Sequence, residues 1–290
     1  MAGLKELSVV IVNYNSAAVI EACLAPLQEV ARVIVVDNAS VDDSVEKVRL
    51  ARPDADIILN EENRGYGCAV NQGFAKVKTT YALLINPDAV LTPEAIVNLI
   101  DTAEQTNRAG IVAPFLYSPK RGLELELKGP QEKTQSRADI VPEGAFCTWF
   151  ATGAVWLCNI AAWRDVGGFD ENIFLYCEDL DLCRRMTQKD YVILFAPDAR
   201  GEHLVSQATL PTRRIRWRKE WNIVWSHLYL MKKHEGAKLA MSESWRLLRK
   251  HGPKTLFYAL VLQPKRFMRD LAVSHAALSF LMGGIPKRGR

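Results

Sequence analysis

The chain has 290 residues, 49% hydrophobic and 24% charged, enough to bury a large core as one α/β domain or as a domain with an appendage. Its six cysteines (Cys23, Cys68, Cys147, Cys158, Cys177 and Cys183) lack the paired CxxC spacing of a zinc site, and the lack of GxGxxG and GxxxxGKS/T argues against a dinucleotide fold and a P-loop. The net charge of +4 conceals a division: from Thr212 to Arg290 there are 18 Lys and Arg against 4 Asp and Glu, a balance of +14 that leaves −10 on the first 211 residues.

In chain order, the β-branched run Leu7 to Val12 reads as a strand and Ala17 to Leu27 as a helix. Arg32 to Val36 is a second strand ending at Asp37, Ser44 to Ala51 a helix, Asp56 to Leu59 a short strand, and Gly67 to Lys76 a helix. Tyr81 to Ile85 is a continuous apolar run, the pattern of a strand buried on both faces. This alternation predicts a mostly parallel sheet covered by helices. Pro93-Glu94 opens a further helix. Polar Lys120 to Glu143 is the candidate for a mobile loop over a site. Tyr191 to Ala196 precedes a turn at Pro197-Asp198, and Trp156 and Trp163 read as core. The start of the chain runs directly into the first strand, which predicts no signal peptide, and the unpaired thiols predict a reducing, cytoplasmic setting.

If the strands are parallel, their carboxyl ends bring polar clusters to one edge, where ligands of open α/β sheets collect. Asn13-Tyr14-Asn15-Ser16 follows the first strand, Asp37-Asn38-Ala39-Ser40 the second, and Asn63-Arg64-Gly65-Tyr66-Gly67 opens the helix after the third. Asn86-Pro87-Asp88 follows Tyr81 to Ile85. A ring can stack on a base, a carboxylate can accept from a ribose, and an Arg flanked by Gly at a helix start can meet phosphate. Each cluster alone also reads as turn or capping residues.

Glu178 and Asp179 form a second acidic site. Together with Asp88 they suit an enzyme that holds a metal-bound diphosphate at one carboxylate and removes a proton with another. Adjacent helical side chains point about 100° apart, so Glu178 and Asp179 cannot share the proton, and the one that does not take it is left to contact hydroxyls. Asp181 and Arg184 read as a structural pair on the same helix. The basic tail interleaves its charges with Trp217, Trp221, Trp225, Tyr229, Trp245 and Phe257, a composition that suits an anionic membrane surface or nucleic acid. Its longest uncharged stretch, Leu271 to Pro286, is too short for a bilayer core of about 30 Å. His227, His234, His251 and His275 read as surface or membrane-facing.

These residues resemble the family 2 glycosyltransferases of the GT-A fold, especially rhamnosyltransferase-like bacterial members. The likeness rests on Val-Ile-Val-Asn-Tyr-Asn at 10–15, Val-Val-Asp-Asn-Ala-Ser at 35–40 and Asn-Arg-Gly-Tyr-Gly at 63–67. Asn-Pro-Asp-Ala at 86–89, Gly-Gly-Phe-Asp-Glu at 167–171 and Tyr-Cys-Glu-Asp-Leu-Asp-Leu-Cys-Arg-Arg at 176–185 complete it. It covers roughly the first 205 residues. It implies a catalytic domain over 1–211, with a nucleotide-sugar half at about 1–115 and an acceptor half at about 140–211, followed by a basic helical appendage over 212–290.

By that resemblance, Asn13, Tyr14, Asp37, Arg64, Gly65, Asn86 and Asp88 line the nucleotide-sugar pocket. Asp88 and His203 hold Mg²⁺ or Mn²⁺, Asp179 is the general base with Glu178 beside it, and Gly153, Phe169 and Asp170 shape the acceptor side. Asn86 departs from the family's usual Asp, which leaves one fewer anionic ligand. The implied activity is inverting transfer of a sugar from dTDP-rhamnose or a UDP-sugar to a saccharide or lipid-linked saccharide. The basic tail would hold the chain on the inner face of the plasma membrane, without nucleic acid as a partner.

Overall fold

The structure is a computed structural model that describes residues 2–119, 122–124, 143–204 and 212–285. It divides into two compact units, one of residues 1–170 and 179–209, the other of 171–178 and 210–289.

The first unit is built on β1 (Leu7–Asn13), β2 (Arg32–Asp37), β3 (Asp56–Leu59), β4 (Tyr81–Ile85), β5 (Ala89–Leu91), β6 (Ala109–Ser118), β7 (Gly122–Glu124), β8 (Phe146–Thr148), β9 (Val155–Asn159) and β10 (Val192–His203). The order across the sheet is β3-β2-β1-β4-β9-β6-β10-β5, with β7 beside β6 and β8 beside β10. The strands β3, β2, β1 and β4 pair in parallel, as the alternation of elements predicts. Strand β9 then runs antiparallel between β4 and β6, and β6 pairs in parallel with β10. Consequently β1, β2, β3, β4, β6 and β10 all end on one edge, where the reversed β9 begins.

Alternate residues of the strands feed cores on opposite faces: Val9 and Ile11 of β1 join one, Val10 and Val12 the other. The helices α1 (Ile20–Leu24), α2 (Ser44–Ala51), α3 (Tyr66–Phe74), α4 (Pro93–Gln105), α5 (Ile160–Val166) and α6 (Glu178–Gln188) accompany these strands. Thr92 caps α4 by accepting from the Ala95 N–H with Pro93 at its start, and Asn159 caps α5.

Two predicted boundaries move. The helix expected from Ala17 to Leu27 is α-helical only over Ile20–Leu24, then tightens to a 3₁₀ turn at Ala25–Leu27, because Pro26 has no N–H to continue the α-helical ladder. Pro197 and Asp198 do not turn the chain away from the sheet. They lie in β10, where the register against β6 shifts between Ala196 and Arg200; a proline without a donor is tolerated at such a bulge, and the strand runs on to His203. The loop expected over Lys120 to Glu143 falls largely outside the described residues.

The second unit holds α7 (Arg213–His234), α8 (Ala237–Leu260) and α9 (Pro264–Leu281). Trp221 and Trp225 of α7 pack on Ala272 and Ala276 of α9, large against small. The indole N–H groups are satisfied inside the unit: Trp221 donates to His275 Nδ1 at 2.8 Å and Trp225 to the Gly284 carbonyl at 3.0 Å. His251 pairs with the buried Asp270 at 2.5 Å. His251 and His275 are therefore internal partners, and Trp221 and Trp225 form core, because their four-residue spacing places them on one helical face. Among the described residues no helix is long and apolar enough to cross a membrane.

Candidate active site

The edge where the six co-directional strands end collects the polar clusters. Asn13 closes β1 but is fully buried; its amide donates to Asp37 Oδ1 at 2.7 Å and to Ser44 Oγ at 2.8 Å, and its Oδ1 accepts from Ser16. Asp37 Oδ2 also accepts from the Ser40 N–H at 3.1 Å. Asn13 thus fixes the Asp37 carboxylate rather than facing a ligand. Tyr14, half exposed, stands beside it on the surface.

Asn38 is buried and ties down the next loop. Its amide nitrogen donates to Asn63 Oδ1 at 3.0 Å and the Gly65 carbonyl at 3.1 Å, while its oxygen accepts from the Arg64 N–H at 2.9 Å. Gly65 precedes α3 with φ of 90°, a left-handed conformation that glycine adopts without strain. The Arg64 side chain is left exposed.

Asn86 and Asp88 follow β4. The Asn86 N–H donates to the Ala154 carbonyl at 2.8 Å, and the Asp88 carbonyl accepts from the Leu204 N–H at 2.7 Å, which joins this turn to β9 and to the end of β10. Asp88 Oδ1 lies 3.4 Å from His203 Nε2, while the other ring nitrogen of His203 lies 2.5 Å from Glu124 of β7. Burial alone would lower the His203 pKa, but hydrogen bonds to Asp88 and Glu124 outweigh it and raise the imidazole above its ordinary value. Cys23, buried beneath this turn, has its thiol pushed up to about 12 by burial and by the charge of Asp88. Among the described residues no group of three or more His, Cys, Asp or Glu side chains is arranged to hold a metal ion. Asp88 and His203 supply two N/O donors suited to a divalent cation that completes its shell with ligand oxygens.

Tyr66, at the start of α3, connects this turn to the second acidic site. Its hydroxyl lies 2.9 Å from Asn86 Oδ1 and 3.2 Å from the Gly153 carbonyl. The Gly153 N–H in turn faces Asp179 Oδ2 at 3.4 Å, and Asp179 Oδ1 accepts from the Leu180 N–H at 2.8 Å. A Cβ on Gly153 would come within 3.4 Å of the Asp179 Cβ, so glycine keeps this approach close.

The other expected residues divide. Glu178 is buried in the helical unit, where, after burial, its charge and that of Glu220 raise the Tyr176 phenol. Phe169 is 2% exposed and packs against Tyr66, Trp156 and Trp163, so its ring belongs to the core with the two tryptophans expected there. Asn71 brackets it, accepting from the Phe169 N–H at 3.0 Å and donating to its carbonyl at 2.9 Å, and Asp170, half-buried, follows directly. Asp181 pairs with Arg185, four residues on along the same helix. Arg185 also donates to the Val166 and Gly168 carbonyls at 2.7 Å. Asn38, Tyr66, Asn71, Glu124 and Arg185 were not singled out from sequence; only Asn38, Tyr66 and Arg185 lie inside motifs that could have flagged them.

The model of glycosyl transferase family 2 matches residues 8–151, and that of glycosyl transferase family group 2 matches residues 83–283. The chain belongs to glycosyltransferase family 2 and is a glycosyltransferase. The N-acetylglucosaminyl-diphospho-decaprenol L-rhamnosyltransferase of Mycobacterium tuberculosis is 26% identical over 238 residues, 70% of this chain and 77% of that protein. A low-salt glycan biosynthesis hexosyltransferase of Haloferax volcanii is 25% identical over 198 residues, 64% of this chain and 63% of that protein. Among solved structures, a mannosyltransferase of Pyrobaculum calidifontis in complex with GDP-Man and Mn²⁺ superimposes with a TM-score of 0.59 at 15% identity, covering 96% of this chain and 87% of that one. GalNAc-T7 with UDP, GalNAc and Mn²⁺ gives 0.54 at 14% identity, covering 76% of this chain and 48% of that one. The fold is GT-A.

Proposed function

We propose that this glycosyltransferase moves a hexose, with inversion, from a nucleoside-diphosphate donor to a hydroxyl of a lipid-linked saccharide in cell-surface polysaccharide synthesis. Rhamnose from dTDP-rhamnose is the first donor to test and UDP-sugars the next. The rhamnosyltransferase relative, whose name specifies a diphospho-decaprenol acceptor, supports this choice. The observation that carries the reading is the chain of contacts Asn86–Tyr66–Gly153–Asp179, which couples a turn suited to a diphosphate with a carboxylate suited to a base.

In this reading Tyr14 stacks on the base, Asp37 accepts from base or ribose, and Arg64 meets phosphate, with Asn13 and Gly65 shaping their positions. Asp179 takes the proton of the acceptor hydroxyl as that oxygen bonds to the anomeric carbon and the bond from this carbon to the diphosphate oxygen breaks. Gly153 keeps the approach to Asp179 narrow and Asp170 faces the acceptor side. Asp88 and His203 would hold Mg²⁺ or Mn²⁺, with Glu124 orienting the imidazole as carboxylates commonly do for metal-bound histidines. When bound, such an ion offsets negative charge on the departing nucleoside diphosphate. Residues 1–211 form the catalytic domain and the basic segment 212–290 holds the chain on the inner face of the plasma membrane.

The test is nucleoside diphosphate release from a panel of nucleotide sugars, with a membrane-lipid extract as acceptor. Release from one donor that depends on the extract is the expected result. Release from no donor, despite nucleotide binding, would contradict it.

A further inference from the structure

Within the helical unit, α7 and α9 enclose a cavity of about 260 Å³. Five cationic side chains line it: Arg213, Arg216 and Lys219 from α7, and Lys265 and Arg269 from α9. Glu220 is the one carboxylate in the lining. The α7 cations recur every three residues and so share one helical face. Arg269 is bonded to the buried Asp270 at 3.1 Å, and the Lys219 ammonium lies 5.7 Å from the centre of the Tyr176 ring. Arg213, Arg216 and Lys265 have no carboxylate partner within ion-pair distance among the described residues. Like charges gathered around one cavity repel one another, and a bound anion with several acceptor oxygens relieves that repulsion.

The α8–α9 turn leads directly into this cavity. Leu260 and Leu262 are 83% and 85% exposed, Leu256 and Phe257 are also exposed, and Pro264 and Lys265 of the cavity follow within three residues of Leu262. Water is a poor solvent for such a contiguous apolar tip, whereas acyl chains below a layer of phosphates match both the tip and the charges next to it. A nucleic acid would satisfy the cations and leave the leucines in water.

We propose that the α7–α9 cavity binds the phosphate of an anionic phospholipid in a bilayer, with the α8–α9 turn inserted among the acyl chains. The proposal rests on the membrane-surface part of the function proposed above and assigns it to named residues.

The test is flotation of the full chain with vesicles of phosphatidylcholine, with and without phosphatidylglycerol. The wild type is expected to float with the anionic vesicles and not with the neutral ones. Arg216→Glu with Lys265→Glu, and separately Leu260→Ser with Leu262→Ser, should each weaken binding by about tenfold or more while circular dichroism stays unchanged. Should the charge reversal disturb folding, Arg216→Gln with Lys265→Gln is the milder pair and should still weaken binding. Equal flotation with neutral vesicles, or full binding by a folded charge variant, would overturn the site. So would thermal stabilisation by inorganic phosphate without flotation, which would assign the cavity to free phosphate. Nucleoside diphosphate release from the donor panel, with detergent-solubilised lipid extract as acceptor and no vesicles, is measured in parallel and separates the two claims. Loss of flotation with release intact sinks this site alone, and the converse sinks the transferase reading alone.

Discussion

The Tyr66 hydroxyl lies 2.9 Å from Asn86 Oδ1 and holds the side chain of the turn after β4 to the start of α3. The same hydroxyl reaches the Gly153 carbonyl, one peptide from the group that faces Asp179, so one oxygen sets the spacing between the two acidic sites. Tyr66→Phe keeps the ring against Phe169 and removes only this link. A stability loss of about 1 kcal/mol is expected from one hydrogen bond, with a larger fall in kcat than in donor affinity. Denaturant unfolding and steady-state kinetics on the same protein check both.

Asp88 and His203 should control metal affinity, and Glu124 should act through His203. Mn²⁺ titration followed by electron paramagnetic resonance, with nucleoside diphosphate present, should show binding lost in Asp88→Ala and His203→Ala. Glu124→Gln should weaken it by about 10–100-fold, the usual cost of removing a carboxylate behind a ligating histidine. A chelator should abolish turnover, with recovery on adding Mn²⁺.

Gly73 lies where α3 packs on the sheet, and a Cβ there would stand 2.5 Å from Val10 Cγ1 and 3.3 Å from Val36 Cγ2. Both valines are buried in the sheet and have little room to move. Gly73→Ala should therefore destabilise the chain by about 1–3 kcal/mol through overpacking, seen as a lower denaturation midpoint.

Arg185 pairs with the buried carboxylate of Asp181 and holds the carbonyls of Val166 and Gly168 in place. Arg185→Ala removes this buried ion pair and both carbonyl contacts together and should cost about 3 kcal/mol, seen as a lower denaturation midpoint. Arg185→Lys should recover only part of this, because an ammonium cannot hold three acceptors in the guanidinium's planar arrangement.

Much of the α/β unit was legible in sequence because its strands are short apolar runs bounded by turn residues. Ser44–Ala51, Asp56–Leu59 and Tyr81–Ile85 begin and end where periodicity puts them. The reversed β9 was not legible, since an apolar run of five residues carries no sign of its direction. Side-chain facing was also hidden: Asn13 turns inward because its position on β1 faces Ser44, and Phe169 is drawn into a cage of three rings that composition does not reveal. Glu124 meets His203 across 79 residues, a distance over which local pattern says nothing. In the tail, net charge was a fair guide to the surface but a poor one to the tryptophans, two of which form the core of the helical unit.

Asp179 as the base is tested directly by comparing wild type with Asp179→Asn. Nucleoside diphosphate release with acceptor present and donor affinity by calorimetry are read on both proteins. Release should fall by about 10²–10⁴-fold while donor affinity is retained, since the amide keeps the shape and loses the proton acceptor. Release at the wild-type rate from Asp179→Asn would contradict it.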